Sequence, residues 1–225
     1  MKVIQSVDKS IEDRGIWDTI LVTLSYIIDY FFDIKYGTET YSWVELEDLQ
    51  IKSENIERGE RYQPTHALPL RNLFRKLQIP RGKIIVDLGS GKGKVLLVAA
   101  EYGFKEARGV DFSRGLCEIA KKNILSFKKK YMGVTNFKVI QSDVTDYPIH
   151  DDEDIFYLFN PFDDIILAKV LTNMLTSLER RKRRVWIIYW NALHKNVIEN
   201  SNLFKKVLEF KNLGQEFLVY SNCPK

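Results

Sequence analysis

Residues 84–93, IIVDLGSGKG, constrain this chain more than any other stretch: an apolar run, one acid, then a glycine-rich turn. Ile84, Ile85, Val86 and Leu88 predict a parallel strand covered on both faces, because such strands carry nearly continuous apolar, often β-branched residues. Gly89, Gly91 and Gly93 let the backbone turn sharply and approach a ligand closely. Lys94 to Tyr102 continues with a helical pattern that puts Val95, Val98 and Ala99 on one face. Strand, glycine turn and helix in that order predict a nucleotide-cofactor site in an α/β fold.

The dinucleotide fingerprint G-x-G-x-x-G is not met. Gly89 and Gly91 fit it, but Lys94 holds the third glycine's place and Gly93 comes one residue early. Asp87 stands just before the turn and would set a carboxylate where a pyrophosphate should go. That suits a ligand with cationic or neutral donor groups, such as S-adenosylmethionine, which has an α-ammonium, a sulfonium and no phosphate.

VDLGSGKG resembles the first motif of class I S-adenosylmethionine-dependent methyltransferases, and the family's later marks follow in order. Arg108-Gly109-Val110-Asp111 reads as a second strand ending in the acid that, in the family, accepts both ribose hydroxyls. Ser142-Asp143-Val144 follows a third strand, Phe137 to Ile140, and matches the acidic place near the adenine amino group. Ile155 to Phe159 reads as a fourth strand and ends in Asn160-Pro161-Phe162, which resembles the fourth motif. The resemblance covers about residues 60–221. It implies a Rossmann-like, mostly parallel seven-stranded sheet with helices on both faces and a C-terminal antiparallel hairpin. It also implies a cofactor site drawn from Tyr62, Thr65, Asp87, Gly89, Ser90, Gly91, Gly93, Asp111, Phe112, Ser113, Asp143, Val144 and Asn160. The carboxyl end agrees with that fold on its own terms. Val185 to Tyr189 is a fifth strand, and Leu203–Phe210 and Gln215–Tyr220 are two further strand-like runs joined by turn residues Asn212 and Gly214. An NAD-binding domain would continue there with a parallel strand.

Upstream lies an extension, residues 1–60, before a domain at 61–225. Its Ile16–Ile34 stretch is rich in Ile, Trp, Tyr and Phe, but Asp18, Asp29 and Asp33 interrupt it. Acids are costly inside a bilayer, and an interfacial helix would carry Lys or Arg on its polar face. The wide apolar stripe therefore predicts a helix packed on the domain or on a partner subunit, a homodimer being one such arrangement. Tyr62-Gln63-Pro64-Thr65 is similar to an element of seven-strand protein lysine methyltransferases, where the threonine region lies over the methionine end of the cofactor. Without that resemblance, Pro64 simply ends a loop before a helix at about Leu68 to Leu77.

The net charge of +4 is too small to imply nucleic acid. The two basic runs, Lys128–Lys130 and Arg180–Arg184, read as helix C-termini at the sheet edge opposite the ligand crevice. The acidic run Asp151–Asp154 reads as a solvated loop, or else as a rim attracting a basic substrate. Cys117 and Cys223 are isolated, suggest neither a disulfide framework nor a metal site, and with the absence of a signal-peptide pattern predict a cytoplasmic protein.

For the chemistry, Asn160, Pro161 and Phe162 are the candidate catalytic residues. In amino-methylating relatives the corresponding Asn/Asp-Pro-Pro-aromatic motif accepts hydrogens from the target nitrogen and stacks a ring on it. Here the second proline is missing, and Asp163 is the better-placed helix cap. His194, after the fifth strand, is a candidate base or an ordinary helix-start histidine, while His66 and His150 have no partner visible in the sequence. The predicted acceptor is an amine nitrogen on a protein (lysine) or on a small molecule. The alternatives are RNA or DNA as acceptor, or a silent cofactor-binding scaffold.

Overall fold

The computed structural model describes residues 15–42, 64–159 and 163–222. The chain runs α1 (Ile16–Tyr36), α2 (Ala67–Leu77), β1 (Ile84–Leu88), α3 (Lys94–Tyr102), β2 (Glu106–Asp111), α4 (Arg114–Lys130), β3 (Asn136–Gln141), β4 (Ile155–Phe159), α5 (Asp164–Arg180), β5 (Trp186–Trp190), α6 (Lys195–Asn200), β6 (Lys205–Asn212) and β7 (Gln215–Ser221). One seven-stranded sheet has the order β3-β2-β1-β4-β5-β7-β6. The pairs among β1 to β5 are parallel, and β7 lies antiparallel between β5 and β6. The predicted mostly parallel sheet with a closing hairpin is therefore what forms. β1 and β5 are buried along their whole length, as both-faces-covered strands must be.

The strand period of two divides the core. Ile85, Tyr157 and Ile188 face one side, with Leu70, Phe74, Leu97 and Phe127 of the helices and with Phe32 and Tyr36 of α1. Val86, Leu88, Phe156 and Leu158 face the other, against Ile166, Leu167, Val170 and Met174 of α5. Asp87 belongs to the first face, with Tyr157 as its register partner on β4 and Gly109 on β2.

The helix expected at Ile16–Ile34 runs to Tyr36, where Gly37 ends it in the left-handed region (φ 66°). It packs on the domain, but not by its apolar stripe. Thr19, Ser25, Asp29 and Asp33 are buried, together with Val22, Phe32 and Tyr36. Asp33 closes the turn that follows: its carboxylate accepts from the Thr38 and Thr40 hydroxyls and from the Thr40 and Tyr41 N–H groups. Among the described residues no helix is long and apolar enough to cross a membrane.

The acidic run is not a solvated loop. Asp151 pairs with Arg180, Asp154 with Lys83, and Asp152 and Glu153 with Arg108, whose guanidinium also holds Glu106. Glu153 is fully buried, and the Tyr147 hydroxyl donates to it as well. This network surrounds the amino ends of the strands, where Lys83, Asp151, Asp152 and Arg183 line a cavity of about 430 Å³. It cannot be a substrate rim, because the glycine turn lies at the opposite, carboxyl edge. The basic run Arg180–Arg184 belongs to the same network: α5 ends at Arg180, and Arg183 donates to the Glu153, His150 and Ser177 carbonyls. Lys128, Lys129 and Lys130 do form the last turn of α4.

Candidate active site

The glycine turn between β1 and α3 is built with left-handed backbone at Gly89, Gly91 and Gly93 (φ 87°, 49° and 83°). Gly93 has a second requirement, since a Cβ on it would sit 3.2 Å from Cβ of Ala120 in α4. The turn directs its N–H groups inward. Those of Gly89 and Ser90 both donate to the Val110 carbonyl (2.8 and 3.0 Å), that of Gly93 donates to Ser90 O (2.9 Å), and that of Gly91 donates to Asp111 Oδ2 (2.8 Å). A phosphate-binding loop needs such groups free to face its ligand. Here three of them tie the turn to β2 and that of Gly93 closes the turn on itself.

The two lysines of the turn are also turned away from the crevice. Lys92 is 1 % exposed, and its ammonium donates to Glu39 (3.1 Å) and to the Ser42 hydroxyl (2.6 Å). Lys94 is 2 % exposed; its ammonium donates to Asp29 (3.1 Å) and lies 4.7 Å from the centre of the Phe32 ring. Asp29 also accepts from His66 Nδ1 (2.6 Å) and from the Ala67 N–H (2.9 Å). Burial pushes the Asp29 pKa up, but the His66 hydrogen bond and the Lys94 charge outweigh it and hold the carboxyl below the ordinary range. Both cations of the glycine turn are thus neutralised by the extension. His66, which has no visible partner in the sequence, has one here in Asp29, with Tyr26 and Trp190 against its ring.

Two acids face each other where β1 and β2 end. Asp87 is 3 % exposed and receives no hydrogen bond from the described residues; burial first, and then the charge of Asp111, drives its pKa well above the carboxylate range. An unpartnered buried carboxylate is costly unless a ligand answers it. Asp111 is braced: Oδ1 accepts from the Ser113 N–H and Oδ2 from the Gly91 N–H, leaving each oxygen one lone pair. Burial raises its pKa to about 6 even so, against the lowering effect of those two bonds.

The other predicted residues divide. Thr65 is buried, and its hydroxyl lies 3.2 Å from that of Tyr157, beside Asp87. Ser113 caps α4, its hydroxyl accepting from the Leu116 N–H, and the Phe112 side chain next to it is half-buried. Asp143 accepts from the Thr145 N–H and hydroxyl, a local turn at the end of β3, with Val144 buried behind it. Ser90 Oγ is fully enclosed without a hydrogen-bond partner among the described residues, packed over Gly109. Tyr62 and the whole of Asn160-Pro161-Phe162 lie outside the described residues. Asp163, just beyond, caps α5 through the Ile166 N–H. His194 stands at the start of α6, as a helix-start histidine would. Phe159 and Trp190, at the ends of β4 and β5, stack at 3.8 Å and form an aromatic wall at the carboxyl edge of the sheet.

The donor set fits S-adenosylmethionine better than a pyrophosphate ligand. Among the described residues it offers a buried carboxylate that receives no hydrogen bond, a second carboxylate with a lone pair open on each oxygen, and a glycine turn whose lysines are engaged within the protein. Sequence reasoning missed Asp29, Lys92, Lys94 and Tyr157. Two lysines interleaved with glycines were a visible signal, but their acids lie 53 and 65 residues away in the chain.

A family model for the methyltransferase domain matches residues 79–218, well over half of the chain. No curated protein matches in sequence. Among solved structures, the chain is similar to an RNA methyltransferase from Salinibacter ruber in complex with S-adenosyl-L-homocysteine (TM-score 0.54, 15% identity, covering 72% of this chain and 94% of that one). It is similar to the ribosomal protein L11 methylase from Lactobacillus delbrueckii subsp. bulgaricus (TM-score 0.50, 17% identity, 67% and 75% covered). It is also similar to magnesium protoporphyrin IX methyltransferase from Synechocystis (TM-score 0.51, 13% identity, 69% and 77% covered). At these identities the likeness is one of fold.

Proposed function

The chain belongs to the methyltransferase-domain family, with S-adenosylmethionine as its methyl donor, and from that premise we propose that it methylates an amine nitrogen on a protein (a lysine) or on a small molecule, in the cytosol. The observation that carries the acceptor class is the neutralised glycine turn: the cations left at the carboxyl edge, Arg114 at the start of α4 and Lys195 at the start of α6, are single exposed side chains rather than a track. Lys92 and Lys94 are buried against Glu39 and Asp29, and the arginine run is engaged at the far edge. A nucleic-acid acceptor wants a basic track leading to the crevice. Two isolated cysteines, one of them the buried Cys117, fit the compartment.

When bound, the cofactor supplies an activated methyl on a sulfonium, so the protein's main task is alignment, which can contribute ~7–11 kcal/mol. In this reading Asp87 receives the α-ammonium of the cofactor and Asp111 the ribose hydroxyls. Asp143 stands near the adenine, and Thr65, with Tyr62, covers the methionine end. Asn160, Pro161 and Phe162 position the acceptor nitrogen beside the wall of Phe159 and Trp190.

The test is transfer of labelled methyl from S-adenosylmethionine to fractionated cell extract. Label in protein or in small amines supports the proposal, and label confined to RNA or DNA overturns the acceptor class. With an acceptor in hand, Asn160→Ala should cut turnover strongly while leaving cofactor affinity within a few-fold, since it removes a contact made mainly in the transition state. Near-normal turnover with a small loss of stability would reduce Asn160 to a turn residue.

A further inference from the structure

Helix α1 meets the domain with its polar side. Trp17, Ile20, Leu24, Ile27, Phe31 and Ile34 are all exposed, Trp17 at 76 % and Phe31 at 61 %. They recur at alternating intervals of three and four residues, the spacing of the a and d positions that form a two-stranded coiled-coil seam. The face behind them holds Ser25, Asp29 and Asp33 against the domain. The apolar line is therefore not the helix's route into its own core.

The area is that of an interface. These six side chains with their neighbours Ile16 and Tyr30 expose on the order of 800–1,000 Å², against ~800 Å² per partner in a standard stable interface. The largest apolar patch of an ordinary monomer is ~300–600 Å². An interfacial membrane helix would balance such a line with Lys or Arg on its other face; here the other face is acidic and already buried.

We propose that this line is the seam of a homodimer in which two copies of α1 pair antiparallel. The spacing is palindromic about a point between Ser25 and Tyr26. A two-fold axis there stacks Trp17 on Ile34, Ile20 on Phe31 and Leu24 on Ile27, each layer occurring twice, as a self-complementary interface requires. Antiparallel pairing also evens the layers: Trp17 and Phe31 each meet an isoleucine, and Leu24 meets Ile27. Parallel pairing would put two Trp17 rings in one layer and two isoleucines in the next. Head-to-tail helix dipoles favour the same choice. The seam and the grip of Asp29 on Lys94 use opposite faces of one helix, so the dimer stands or falls independently of the methyl acceptor.

Sedimentation of the full chain at tens of micromolar should give a dimer. Leu24→Glu with Ile27→Glu should give a monomer that still binds S-adenosylhomocysteine within a few-fold. Register is read by oxidative cross-linking. Ile20→Cys protein mixed with Phe31→Cys protein should form a mixed disulfide between the two introduced thiols, one from each variant, identified by peptide mass, while neither variant alone links through its new cysteine. A wild-type chain that stays monomeric overturns the proposal, including the case in which it sediments with phosphatidylcholine–phosphatidylglycerol vesicles instead. So does a dimer that survives the double glutamate variant, or a disulfide joining two copies of the Ile20→Cys variant through the introduced thiol. Should the glutamate variant fail to fold, the cross-linking mixture decides alone.

Discussion

At the scale of single residues, Gly109 shows how little room the site leaves. A Cβ there would lie 2.6 Å from Ser90 Oγ, 2.8 Å from Ser90 Cβ and 2.9 Å from Leu96 Cδ1. Gly109→Ala should therefore cost ~1–3 kcal/mol by overpacking and weaken S-adenosylhomocysteine binding, because the nearest displaced side chain, Ser90, belongs to the glycine turn. Adding Ser90→Gly should restore part of both losses, as read by melting and calorimetry; no recovery would mean that the crowding is elsewhere. Asp111 makes a second prediction. Its pKa in the folded chain is raised to about 6. Between the ordinary carboxylate range and that value the folded chain holds a proton the unfolded chain has lost, so stability falls as pH rises through this window. Cofactor affinity should run the other way. Ribose hydroxyls donate to the charged form, so binding strengthens as pH climbs through about 6 and releases protons there. Calorimetry in buffers of different ionisation enthalpy reads that release; proton uptake, or the same step in Asp111→Asn, would remove Asp111 from the account.

Among the elements, α1 and its ion cluster matter most. Asp29→Ala would leave the Lys94 ammonium buried without its carboxylate, a loss of ~3–5 kcal/mol, whereas Asp29→Leu with Lys94→Met removes both charges and should recover part of it, the His66 and Ala67 donors still lacking their acceptor. Thermal melting of the three variants checks this, and equal losses would mean that the pair adds nothing specific. Because the Asp29 carboxyl is held below the ordinary range, its contribution is present above that range and is lost on acidification. This cluster also marks the limit of what the sequence makes legible. β1, β4 and β5 are readable because strands covered on both faces need unbroken apolar runs, and the hairpin is readable from Asn212 and Gly214. The existence of α1 is readable as well, but not its orientation. The apolar stripe points outward because Lys94, His66 and the Ala67 N–H, all distant in sequence, supply charge and donors that only a polar helix face can answer. The acidic run Asp151–Asp154 misleads for the same reason, its Arg108 and Lys83 partners lying more than forty residues away. Nothing in residue spacing reports such pairings.

For the whole molecule, α1 and the turn after it are tied to the domain through Asp29, Tyr36 and Glu39. Removing residues 1–42 should lower the melting temperature and weaken S-adenosylhomocysteine binding, since Lys92 and Lys94 would lose Glu39 and Asp29 and face the turn as uncompensated cations. Unchanged affinity after that deletion would make the extension a mere appendage. The full chain should melt in a single transition by both fluorescence and circular dichroism. The strand order carries a last consequence, for synthesis on the ribosome. Strand β7 lies between β5 and β6 yet is made after both. From the moment Trp190 emerges until residue 215 and its followers arrive, the outer edge of β5 has no neighbour. That edge reads WIIYW, uncharged, aromatic and branched, which is the composition most prone to pair with the wrong chain. β6 cannot shelter it, because its own place in the sheet is one strand further out. A nascent chain paused anywhere in residues 191–214 therefore presents an open, sticky margin, and this is the interval in which a chaperone has most to protect.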